Sequence, residues 1–64
     1  MWLTVYVSQD EQTAKKLVVL LRTSSVMARI RRLGNKNERQ GVEVLVPRTE
    51  VDIAQNIIID NELF

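Results

Sequence analysis

A two-layer α+β sandwich built in the order βαββα is the fold that this 64-residue sequence predicts. Three observations predict it. Three short runs alternate side chains with the period of a strand, two longer runs space apolar residues three and four apart as an amphipathic helix does, and Gly, Ser or Pro falls between them. Each helical run carries one apolar stripe, so both helices can be buried on one face of a three-stranded sheet.

Residues 2–7, Trp-Leu-Thr-Val-Tyr-Val, are rich in β-branched and aromatic types and alternate Leu3, Val5 and Val7 against Trp2, Thr4 and Tyr6. This is the first strand. Ser8 and Glu11 have the spacing of a capping box, in which the serine oxygen takes an orphan amide and the glutamate reaches back, so Ser8 reads as an N-cap and not as a nucleophile. The helix after it sets Ala14, Leu17, Val18 and Leu21 on one stripe, pairs Glu11 with Lys15, and is expected to run to about Thr23. Ser24 and Ser25 turn the chain.

Residues 26–33 then alternate Val26, Ala28 and Ile30 against Met27, Arg29 and Arg31 as a second strand. Gly34 and Gly41 bracket a polar hairpin, beyond which Val42, Val44 and Val46 alternate with Glu43 and Leu45 as the third strand. Pro47 cannot donate to a sheet, and Thr49 with Asp52 repeats the capping spacing, so a second helix is expected from near Thr49. Val51, Ala54, Ile57 and Ile58 form its stripe. A right-handed crossover that leaves room for the third strand between the first two gives a sheet of order 1-3-2 containing antiparallel pairs, the ferredoxin-like arrangement. Residues 61–64 are left to supply that arrangement's fourth strand.

Composition narrows the function. The chain is 45% apolar and 27% charged, as an ordinary globular domain is, and one domain of this size has a marginal core that a partner subunit would help. It contains no histidine and no cysteine, which removes imidazole bases, thiolate nucleophiles, disulfides and Cys/His zinc sites. Glu50 and Asp52 lie two apart on the second helix and do not face one another; with Asp60 and Glu62 they make no convincing carboxylate pair or metal site. The reading is therefore of a protein that is not an enzyme and has no catalytic residue, metal or cofactor. Its N-terminus lacks the form of a signal peptide and its apolar runs are too short to span a bilayer, so a cytoplasmic location without membrane contact is expected.

The segments MWLTVYVSQDEQTAKKLVVLL and VEVLVPRTEVDIAQNII, with Leu-Val-Pro followed by Glu50 and Ala54, resemble the prokaryotic signal-transducing protein family, short bacterial proteins that look like reduced PII-type domains. Ser24 and Ser25 stand where that family would place a glycine. The resemblance covers nearly the whole chain. It implies a PII-like fold and a regulatory role exerted by binding a protein or small ligand, with the hairpin as partner contact.

Candidate binding residues follow from the alternation. Residues 22–39 hold six basic side chains and one acidic, while residues 40–64 hold one basic and five acidic. Arg29 and Arg31 are expected on the open sheet face with Trp2, Thr4, Tyr6 and Met27, and Lys36 and Arg39 on the hairpin loop of residues 34–41. That loop lacks the glycine order and following helix of a phosphate cradle. An open face bearing Trp2, Tyr6, Met27 and Leu45, together with Ile53, Ile59, Leu63 and Phe64 outside the two stripes, predicts self-association as a homodimer. Arg29 or Arg31 would then pair with Glu43 across the sheet. The alternative is RNA stacked on the aromatic and arginine side chains of that face.

Overall fold

The computed structural model describes residues 1–34 and 41–63, and has the order β1 (Trp2–Ser8), α1 (Glu11–Thr23), β2 (Arg29–Arg32), β3 (Val42–Pro47), a 3-10 turn (Arg48–Glu50) and α2 (Val51–Asp60). The three strands form one sheet in the order β1-β3-β2, with β3 antiparallel to both neighbours. This is the ferredoxin-like βαββα fold. Lys36, Arg39 and Phe64 lie outside the described residues. Of the remaining C-terminal residues, Asn61 caps α2 and Leu63 packs back on the core, so residues 61–63 do not form a strand.

Both helices cover the same sheet face. Ala14, Leu17, Val18 and Leu21 of α1 and Ala54 and Ile58 of α2 form one buried cluster with Val42, Val44 and Val46 of the central strand. The 3.6-residue spacing of the α1 stripe and the two-residue spacing of the β3 valines put these residues on facing surfaces. Leu17 and Leu21 are fully buried, and replacing such a leucine by alanine costs about 2–5 kcal/mol. Val51 and Ile57 flank the cluster half-buried, as the α2 stripe predicts.

The first strand departs from strict alternation. Leu3 pairs with Val46 and Thr4 with Leu45, but the register then shifts so that Tyr6 pairs with Val44 and Val7 with Glu43. Val5 is therefore an extra residue in β1, a bulge. A one-residue slip exchanges the two faces of everything beyond it. Tyr6, expected on the open face, packs instead against the core beside Val5, and Val7, expected in the core, is 55% exposed on the open face.

Helix ends also differ from the expected ones. Ser8 is the last residue of β1, paired with Val42, and so cannot cap α1. Asp10 does so, its carboxylate accepting from the Gln12 amide at 3.0 Å and the Thr13 hydroxyl at 3.2 Å. Ser8 Oγ holds the preceding turn by accepting from the Asp10 amide and donating to the Asp10 carbonyl. At α2 no side-chain cap forms; the 3-10 turn leads in, and the Val51 amide donates to the Arg48 carbonyl. Thr49 and Asp52 are thus no capping box.

At the other end of α1, the Ser25 amide donates to the Arg22 carbonyl and the Val26 amide to the Leu21 carbonyl. These are the two bonds of a Schellman ending, with Ser25 left-handed at φ 65° and the apolar Val26 turned into the core. Gly41 opens β3 at φ 116°, and a side chain there would meet the Ser8 carbonyl at 3.2 Å. Glycine is required at that position.

Candidate binding surface

The sheet face turned away from the helices carries Trp2, Thr4 and Val7 from β1, Glu43 and Leu45 from β3, and Arg29 and Arg31 from β2. Register places them there: Thr4 and Arg29 flank Leu45 on either side, and Val7 and Arg31 flank Glu43. Of the predicted binding residues, the structure brings together Trp2, Arg29 and Arg31 and removes Tyr6 to the opposite face.

Polar groups on this face bind one another. Arg31 holds Glu43 through both carboxylate oxygens, with Nη2 at 3.0 and 3.1 Å and Nε at 3.2 Å, and the Thr4 hydroxyl donates to Glu43 Oε2 from the other side. One hydrogen-bonded bridge thus crosses all three strands. The Thr4 hydrogen bond first, and Arg31 with it, keeps the Glu43 carboxyl below its ordinary value against the opposing effect of burial. Arg29 lies over the Trp2 ring with its guanidinium carbon 3.8 Å from the ring centre, a cation–π stack across the sheet. Leu45, which no helix covers, is only 5% exposed between these groups.

The described arginines of the basic stretch are engaged within the fold. Arg22 Nη2 donates to the Ala28 carbonyl at 2.9 Å, and Arg32 clamps Glu11 with two hydrogen bonds, Nε at 2.8 and Nη2 at 3.0 Å. Lys15 reaches the same Glu11 at 3.2 Å. Hydrogen bonds from Arg32 and then Lys15 hold the Glu11 carboxyl down to about 2, and the same pairing raises Arg32 further above its ordinary value. Arg22, Arg29, Arg31 and Arg32 each have an internal partner. Among the described residues no buried side-chain polar atom lacks one.

One end of the face is less closed. A cleft of about 370 Å³ is lined by Trp2, Arg22 and the connection between α1 and β2, namely Ser25, Val26, Met27 and Ala28. It is a shallow depression open to solvent and not an enclosed cavity. Met27 is 63% exposed at its rim. The Schellman ending shapes this wall, because it turns Val26 inward and fixes where residues 27 and 28 leave the helix. Arg22, Ser25, Val26 and Ala28 were not among the residues expected to bind. Arg22 lies near the end of an amphipathic helix and reads as surface charge, and only the folded chain sets it on the same cleft as Trp2. No group of three or more His, Asp, Glu or Cys suited to a metal occurs among the described residues.

Compared with protein-family models and with curated proteins, the chain matches none. Among the described residues no helix is long and apolar enough to cross a membrane.

Proposed function

We propose that this chain is a small regulatory binding domain that captures a protein partner or small ligand in the cleft between Trp2 and the α1–β2 connection. The cleft is the observation that carries the reading. It sets an aromatic ring, an exposed methionine and a guanidinium around one concavity, the side-chain types that dominate binding energy at protein interfaces. The regulatory part rests on the resemblance to prokaryotic signal-transducing proteins. No step of chemistry is assigned to the site, since the side chains around it are neither nucleophile and base nor a metal set.

RNA on the open face has less support than the sequence pattern lent it. Tyr6 has turned to the core, Arg29 occupies one face of Trp2, and Glu43 neutralises Arg31. A base stacking on that face of Trp2 would have to displace Arg29, and a phosphate at Arg31 would have to displace Glu43.

Trp2 is the only tryptophan and lines the cleft, so its fluorescence gives one signal for occupation there, read at a fixed protein concentration. Immobilised wild-type protein should capture a partner from a native lysate, and the purified partner should shift Trp2 emission. Met27→Glu should abolish both effects, whereas Val19→Glu, on the exposed side of α1, should leave them intact. A partner held equally by Met27→Glu, or RNA bound with a steep salt dependence that requires Trp2, would replace this reading.

A further inference from the structure

We propose that the outer edge of β1 pairs with the β1 edge of a second copy of this chain, antiparallel about a two-fold axis at Leu3, to make one six-stranded sheet. The two rims of the sheet differ in the features that govern strand pairing. β2 has four residues, three of them arginines, a short and charged rim of the kind that resists addition. β1 has seven residues, Trp2–Ser8, without charge or proline, and five of them are β-branched or aromatic. Among the described residues nothing pairs with its outer side.

Backbone direction shows which groups are offered. The Arg48 amide donates to the Met1 carbonyl at 2.9 Å, so Met1 and then Leu3 turn their peptide groups toward β3, and Trp2 and Thr4 turn theirs outward. The bulge at Val5 interrupts the alternation, which confines the regular free ladder to Trp2 and Thr4. A second β1 that exchanges bonds between Trp2 and the partner's Thr4, and between Thr4 and the partner's Trp2, places the axis at Leu3. Leu3 is half-buried on the helix side, so the two leucines meet there.

Charge and closure favour this arrangement over the other edge pairings. With the order β2-β3-β1-β1-β3-β2 the two arginine rims stand about 24 Å apart at ~4.8 Å per strand, beyond the ~8 Å over which charges act in physiological salt. Pairing β2 with β2 would align six arginines, and pairing β1 with β2 would not close.

Amide exchange followed by NMR, with sedimentation equilibrium, tests the proposal. From low micromolar to millimolar protein, the mass should double from 7.4 kDa and the Thr4 amide should become about tenfold more protected, while the Leu3 amide stays unchanged. Thr4→Pro removes an outward amide without breaking the β3 ladder and should abolish association; Thr4→Val keeps the amide and should associate like wild type. If Thr4→Pro does not fold, the wild-type exchange profile decides alone. A monomer at millimolar concentration, a dimer that survives Thr4→Pro, or Thr4 protection independent of concentration, as a strand from the same chain would give, overturns it.

Discussion

Ser25 shows how a single backbone conformation shapes both the fold and the cleft. Its φ of 65° lies in the left-handed region, where a side chain with a Cβ is disfavoured and glycine is not. The Schellman bonds it permits bring Val26 into the core, so the residue tolerates strain that its neighbours offset. Ser25→Gly should therefore stabilise the domain by about 0.5–1 kcal/mol, because relief of the left-handed strain exceeds the added freedom of the unfolded chain. Urea denaturation at neutral pH measures this as a higher midpoint with an unchanged slope. A lower midpoint would mean that the serine hydroxyl or its rotamer contributes more than the strain costs. Trp2 fluorescence in the same variant should be unaltered, since the cleft wall keeps its path.

At the level of elements, the start of α1 separates two readings of the same four letters. Ser8 and Glu11 satisfy the capping spacing, yet β1 continues through Ser8 to its pairing with Val42, and Glu11 is drawn to Arg32 and Lys15. Asp10→Ala should cost about 1 kcal/mol in chemical denaturation and Asp10→Asn much less, since asparagine also caps well. A loss under about 0.3 kcal/mol for alanine, a third of the usual effect, would remove Asp10 as the cap. The capping pattern was legible but its frame was not, because the frame depends on where a strand lets go of its neighbour. Periodicity did reveal the α1 stripe, the β3 valines and the arginines of β2, since each repeats without interruption. It failed at Tyr6 and Val7: alternation has no mark for an inserted residue, and the bulge appears only when β1 is laid against β3. The cleft was hidden for a similar reason, since Trp2 and Arg22 come to line one depression through tertiary packing and share no local pattern.

Two carboxylates tie the whole molecule together. Glu11 joins the first turn of α1 to the end of β2, and Glu43 joins β3 to both rims of the sheet through Thr4 and Arg31. Both are held below the ordinary carboxylate value, Glu11 at about 2. A carboxyl with a lowered folded-state pKa binds fewer protons folded than unfolded, so its contribution to stability is full above the unfolded value and is lost as pH falls toward the folded one. Stability should accordingly be level from neutral pH down to about pH 5.5 and should decline from about pH 5 to 2, as the unfolded chain takes up protons that these groups refuse. Carboxyl carbon shifts followed by NMR should give Glu11 a midpoint near 2 and Glu43 one below the usual range. Arg32→Ala should raise the first alone. Thr4→Val should raise the second alone, because the Thr4 hydroxyl is the largest influence on Glu43 while Arg31 still pairs with it. An ordinary midpoint for Glu11 in the wild-type protein would show that solvent screens its exposed arginine and lysine, and would leave the bridge across the sheet as the remaining charged tie between the strands.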